Sequence, residues 1–175
     1  MDQDFKYSNE EDRSYGLAGM AVSVVVWDSE RLFNAVDIDA AAGEAMEMTQ
    51  EFYFSGNPGL SAKAAWESMV EHFQLSTAMM VSNVMCRLYV HRNTQIDAGL
   101  RRRMLDFAVE EGKESCSLDD DETLRLFDKC YTYCHRVFNH PGVQQVVRDF
   151  AGTLRARRRL TRAEVAEELR ALSRM

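Results

Sequence analysis

The side chains best able to do chemistry lie in the twelve-residue stretch KCYTYCHRVFNH, from Lys129 to His140. Thiolate sulfur and imidazole nitrogen are the ligands that zinc prefers in proteins. A zinc or haem site here would indicate a metal-dependent enzyme, and the two cysteines could also act as a redox pair. The available ligands are Cys130, Cys134, His135 and His140.

The apolar residues around these cysteines predict the buried face of a helix instead. They recur at steps of three and four, which is the spacing of one helical stripe. His135 would point about 100° away from Cys134, so three ligands from this helix do not converge on one ion. Free cysteine packs as a small apolar residue, and the geometry of a helix does not suit a Cys130–Cys134 disulfide. We therefore predict no metal and no cofactor, and keep the metal-dependent enzyme as the weaker alternative. The predicted stripe is Leu124, Phe127, Tyr131, Cys134 and Phe138.

A second stretch, WESMVEHF, places Glu67, Glu71 and His72 close together. Carboxylates and histidines on helices bind the metals of di-iron bundles, where a Glu-x-x-His spacing puts both ligands on one face. Here Glu71 and His72 are adjacent and point to different faces. We interpret this stretch as a solvated helix edge.

The strongest functional hint is the basic C-terminal segment. Its arginines could contact phosphates, as in a nucleic-acid-associated regulator, or an acidic protein surface. LTRAEVAEEL is similar to the first helix of a helix-turn-helix unit, but no recognition helix follows it in this sequence. We favour docking on the acidic body of the protein or on a partner's acidic surface. The candidate contact residues are Arg155, Arg157, Arg158, Arg159 and Arg162.

Composition and charge constrain the class of protein. The 175 residues are 46% hydrophobic with only two prolines and nine glycines, which favours few, long elements. From residue 148 onward there are eight Lys/Arg and four Asp/Glu, a net +4, and the other 147 residues carry −11. The acidic start MDQDFKYSNEED is unlike a secretory signal, and the longest apolar run is too short for a membrane span. We expect a cytoplasmic protein with reduced thiols and no membrane partner.

These features predict an all-α, single-domain bundle of six or seven helices. Residues 1–14 are expected to be flexible, residues 15–158 to form the bundle, and residues 159–175 to form a basic hinge and a short amphipathic helix. The helices are predicted over 15–36, 38–54, 62–92, 96–111, 118–138, 141–158 and 162–172. A loop is expected at Ser55–Gly59. The third helix is expected to kink near Gln74–Thr77, and the fourth to end at Gly112.

Helix caps are predicted from local sequence signals. Ser61 is expected to cap the third helix, Pro141 to open the sixth after Asn139 or His140, and capping boxes to form at Ser117–Asp120 and Thr161–Glu164.

The predicted buried residues are Leu17, Val24, Trp27, Phe33, Trp66, Met69, Phe73, Val84, Leu88, Phe107, Phe127, Tyr131, Cys134 and Phe138. We interpret the ten methionines mainly as core filling. The sequence holds no phosphate-binding glycine loop, nucleophile elbow or zinc-protease helix. We therefore expect a non-enzymatic protein that acts by protein–protein interaction, with self-association through a methionine-rich or aromatic helix face as one form.

Overall fold

The computed structural model describes residues 5–53 and 61–175, and the predicted Ser55–Gly59 loop lies outside them. The prediction of an all-α, single-domain bundle is confirmed, because seven α-helices form most of the described chain. The elements are α1 (Glu10–Val26), β1 (Phe33–Asp37), β2 (Met46–Met48), α2 (Gln50–Tyr53), α3 (Ala62–Met85), α4 (Ala98–Cys116), α5 (Asp120–Phe138), α6 (Pro141–Arg157), β3 (Arg159–Thr161) and α7 (Arg162–Glu168).

Helix α1 lies at the centre of the bundle and packs against α3 and α6, while α3 also packs against α4 and α5. The α1–α3 contact is unusually close at Gly19, where an added Cβ would overlap the backbone carbonyl of Ser82. Glycine permits this approach because it has no side chain. Helix α1 begins at Glu10 with Asn9 as its cap, so the prediction of a flexible segment is wrong for residues 10–14.

Helix α3 continues into a π-helical segment, Cys86–His91. Ser61 caps α3 as predicted, since its side chain accepts a hydrogen bond from the Ala64 N–H. The predicted kink near Gln74–Thr77 is wrong, because those residues are regular helix and the distortion comes later in the chain. The π-helical segment carries Arg87, whose guanidinium lies 2.7 Å from the buried carboxylate of Asp12.

The predicted helix over 15–36 is wrong after Val26. Asp28 adopts a left-handed conformation with φ 51°, and the Ser29 N–H donates to the Val24 carbonyl across it. This pattern closes a helix by satisfying its last carbonyls. The apolar residues from Phe33 onward belong instead to β1.

A three-stranded antiparallel sheet in the order β2-β1-β3 packs beside the bundle. Val36 in the middle strand faces Met46 of β2 on one side and Leu160 of β3 on the other. The predicted helix over 38–54 is therefore wrong, although α2 at its end is helical. The helix-favouring residues there form a turn, in which Gly43 has φ 89°. The hinge predicted at 159–161 is strand β3.

The other helix ends depart from the predictions by a few residues. Helix α4 runs past Gly112 to Cys116, and Gly112 packs against Phe73 and Thr123. The capping box of α5 uses Asp119 and Glu122 rather than Ser117 and Asp120.

Two caps were predicted correctly: His140 precedes Pro141 at α6, and Thr161 with Glu164 forms the box of α7.

Most of the predicted core is buried, including Phe33, which is 1% exposed although its element was wrong. The prediction that Trp66 and Phe107 are buried is wrong, because their side chains are 47% and 52% exposed. Trp27, Met69, Leu88 and Tyr131 are partly buried against the core clusters.

Candidate functional site

All five arginines of the predicted basic site form contacts within the chain. Arg155 pairs with Glu11 at 3.2 Å, and Arg159 pairs with Glu47 at 2.7 Å. Arg157 pairs with Glu164. All of these side chains remain partly exposed.

Arg158 and Arg162 tie the same segment to the first third of the chain. Arg158 pairs with Glu10 at 2.9 Å and with Asp39. These hydrogen bonds raise the pKa of Arg158 and lower the pKa values of both carboxyls. Arg162 donates to the backbone carbonyl of Phe33 at 2.6 Å. Arg155, Arg158 and Arg159 thus pair with carboxylates of the first 50 residues, while contact with phosphates or with a partner's acidic surface stays a prediction.

The cysteine helix forms core. Cys130 and Cys134 are both buried and free, and burial raises the pKa of each thiol to about 12. The Cys134 sulfur lies 3.2 Å from the Ser82 hydroxyl. His135, the next residue along α5, is exposed. Within residues 5–53 and 61–175, no three His, Cys, Asp or Glu side chains are grouped so as to hold a metal ion.

The interpretation of WESMVEHF as a solvated edge is correct for the glutamates and wrong for His72. Glu67 lies 3.8 Å from Lys63, and Glu71 lies 3.4 Å from Arg31, all at the surface. His72 is only 5% exposed. Its ring stacks on Phe52 of α2 with centroids 5.6 Å apart.

A surface groove follows the seam between α3 and α4. On the α3 side, residues 66, 69, 73, 76 and 80 step by three and four and therefore share one face. From Met69 to Met80 the part of this face that lines the groove is about 16 Å long at the rise of a regular helix, and Trp66 lies on the same face beyond that end. Phe107 supplies an exposed aromatic ring from α4. We call this surface the α3–α4 groove, and its lining residues are Met69, Phe73, Ser76, Thr77, Met80, Phe107, Ala108, Glu111, Ser115 and Cys116.

Where α2 meets the groove there is a cavity of about 350 Å³, which we call the His72 cavity. Phe52 and Tyr53 of α2 add to its aromatic wall, and Glu111 of α4 supplies a half-buried carboxylate. Neither ring nitrogen of His72 has a hydrogen-bond partner among the described residues. The cavity therefore joins aromatic surface to polar groups that are not satisfied within the described chain.

Neither surface is evident from the sequence, because each depends on which elements meet. Trp66 and Phe107 keep helical spacing with buried neighbours, but both side chains are exposed. His72 is covered by Phe52 of α2, whereas the sequence predicts a single longer helix over 38–54. One available signal was the polar setting of Trp66, which lies between Lys63 and Glu67 near the start of its helix.

Comparisons with protein-family models, curated proteins and solved structures found no significant match. Among the described residues, no helix combines the length and apolarity that a membrane crossing needs.

Proposed function

We propose that this protein is a non-enzymatic helical protein that acts by binding another protein through the α3–α4 groove. The observation that carries the proposal is the pair of exposed aromatic side chains, Trp66 at 47% and Phe107 at 52% exposure, on the two helices that border the groove. Aromatic residues are enriched in protein interfaces, and tryptophan is prominent among the residues that dominate binding energy.

The groove has the composition of a protein-binding surface along its whole length. Met69, Phe73 and Met80 form an apolar floor, and methionine adapts its shape to a partner at little cost. Phe107 already contacts one aromatic ring, with its centroid 6.4 Å from that of Phe5. An apolar partner segment would bury this exposed surface, which is the main favourable contribution to protein association.

The basic segment supports a protein partner over a nucleic acid. Arg155, Arg157, Arg158 and Arg159 are paired with carboxylates of the same chain. Contact with phosphates would have to break these pairs against the repulsion of an acidic body. The groove needs no such rearrangement.

A quantitative pull-down from lysate of the native cell tests the proposal, with nuclease-treated and untreated samples compared. The informative variant combines Trp66→Ser and Phe107→Ser, which should leave the fold intact because both side chains are exposed. The matched control is Leu124→Ser, since Leu124 is also exposed at 38% but lies on α5 outside the groove.

We expect specific partners to be retained by the wild type and by Leu124→Ser, lost with the double variant, and unaffected by nuclease. Sedimentation of the same three proteins over a range of concentrations identifies the case in which the partner is a second copy of the chain. Retention of the same partners by the double variant, or loss of all partners on nuclease treatment, would refute the proposal.

A further inference from the structure

We infer that the His72 cavity binds a small aromatic amine in its protonated, cationic form. His72 is 5% exposed, and neither of its ring nitrogens is hydrogen-bonded to any residue in 5–53 or 61–175. A buried polar group without a partner is costly and is rare in folded proteins. The histidine lines the cavity, but both ring nitrogens are shielded from solvent, so a bound molecule satisfies one of them only if the ring turns toward it.

Glu111 defines the charge of the ligand. Its side chain lines the cavity from α4, is half-buried, and forms no ion pair with any described residue. Ser76 and Ser115 add hydroxyl groups to the same lining. A carboxylate, hydroxyl oxygens and a ring nitrogen of histidine that carries no proton accept hydrogen bonds, and an ammonium group offers three donors and no acceptor. An anionic ligand would instead be repelled by the Glu111 carboxylate.

The remaining walls define the shape of the ligand. Phe52, Tyr53 and Phe73 present rings to the cavity, and Met69 adds a polarisable thioether. Rings attract both an aromatic ligand and a cation placed over their faces. The volume of about 350 Å³ lies at the lower end of the range for small-molecule sites, which suits a single ring with a short amine arm.

Three probes of nearly equal size separate these contributions. Phenethylamine is the cation, 2-phenylethanol is the neutral analogue and phenylacetate is the anion. Binding is measured by protein-observed NMR titration of the full chain up to about 10 mM probe, a range that covers weak fragment affinities. We expect the amine to bind at least about tenfold more tightly than the alcohol, with no saturable binding of the anion. The shifted resonances should lie in α2, α3 and α4.

Two variants assign the selectivity to its source. Glu111→Gln should reduce the preference for amine over alcohol to about one, because it removes the charge and keeps the shape. The matched control is Glu110→Gln, a neighbouring exposed carboxylate on another face of α4, which should leave the preference unchanged. Circular dichroism confirms that both variants fold.

His72→Phe tests the second polar group. It should weaken the amine several-fold while the ring stacking on Phe52 is kept. Equal binding of all three probes, no binding of phenethylamine, or an unchanged preference in Glu111→Gln would overturn the inference. These outcomes are independent of the protein-binding proposal, because no partner protein is present and neither Trp66 nor Phe107 is altered.

Discussion

Asp12 is the residue at which the N-terminal segment, α1 and the π-helical segment are joined. Its carboxylate is fully buried and accepts hydrogen bonds from Arg87 at 2.7 Å, from Arg92 at 3.0 Å and from the Ser8 N–H at 3.0 Å. Arg87 is itself 3% exposed. Removing one partner of a buried ion pair leaves an uncompensated charge, which costs far more than the pair contributes.

The first prediction compares buried and exposed ion pairs. Asp12→Ala should lower the free energy of unfolding by about 3–5 kcal/mol because it leaves Arg87 buried without its carboxylate. Asp106→Ala should change it by less than about 0.5 kcal/mol, since Asp106 pairs with Arg102 at the surface of one helix. Urea denaturation measures both values. Equal losses in the two variants would show that the buried network does not contribute as argued.

The second prediction concerns acid. Burial by itself raises the pKa of Asp12, but hydrogen bonds from Arg87 and Ser8 and the charges of Arg87 and Arg92 outweigh it and hold the pKa at about 2. An unfolded aspartate titrates near 3.9. The folded state therefore binds fewer protons between these values, so the stabilisation is complete above about pH 4 and is lost as pH falls toward 2.

The difference in unfolding free energy between wild type and Asp12→Asn should accordingly shrink by about 2–3 kcal/mol from pH 5 to pH 2. Urea denaturation of both proteins at several pH values between 5 and 2 measures this difference. Glu10, Asp39 and Glu164 also have lowered pKa values, but they are present in both proteins and cancel in the difference. A constant difference across the range would contradict the prediction.

At the scale of elements, the close contact of α1 with α3 depends on one missing side chain. Gly19→Ala should destabilise the protein by at least about 1–3 kcal/mol, because the new methyl group overlaps the Ser82 carbonyl and the helices must separate. The matched control is Gly152→Ala in α6, where no atom lies within 4 Å of the added Cβ. That change should stabilise the helix by about 0.5–1 kcal/mol.

If the contact is as close as described, thermal unfolding should show a lower melting temperature for Gly19→Ala and a higher one for Gly152→Ala than for the wild type. A Gly19→Ala protein as stable as Gly152→Ala would mean that α1 and α3 can move apart without loss.

The elements divide into those that local sequence determines and those that it does not. The caps at Ser61, His140 and Thr161 were predictable because their hydrogen bonds span two or three residues. Strand β1 was not, because its partners are residues 46–48 and 159–161. Its apolar residues also continue the helical spacing of α1, although the left-handed Asp28 and a 3-10 turn at Glu30–Leu32 separate the two elements.

The candidate site shows the same limit. Buried Cys130 and Cys134 followed from the periodicity of a single helix. The exposure of Trp66 and the burial of His72 depend on how α2, α3 and α4 meet, which no single segment encodes.

At the scale of the whole molecule, the acidic residues 1–147, with a net charge of −11, and the basic residues 148–175, with +4, pair with each other locally. Glu10, Glu11, Asp39 and Glu47 lie in the first 50 residues, yet each pairs with an arginine between 155 and 159. Such exposed pairs contribute little stability individually. Their collective effect is to occupy the cations that would otherwise attract polyanions.

The last prediction follows from that occupancy. Binding of the wild type to a labelled DNA duplex should be negligible near physiological salt, with a logarithmic salt slope far from the roughly −4 expected for five free arginines. Replacing Arg157, Arg158 and Arg159 by Ala should change nothing further. Binding tighter than about 10⁻⁴ to 10⁻⁶ M that the triple variant abolishes would instead support a nucleic-acid-associated regulator.

Strand β1 is completed by residues from the opposite part of the chain, and this imposes an order on biosynthesis. At ribosomal rates of about 5–20 residues per second, the residues of β3 follow those of β1 after roughly 6–24 seconds. During that interval the side of β1 that later receives Leu160 has no strand to pair with, and an unpaired strand edge can template pairing with another chain. The nascent protein is therefore most vulnerable to aggregation before Arg159–Thr161 is made, and a chaperone that covers Phe33–Asp37 would protect it most during that interval.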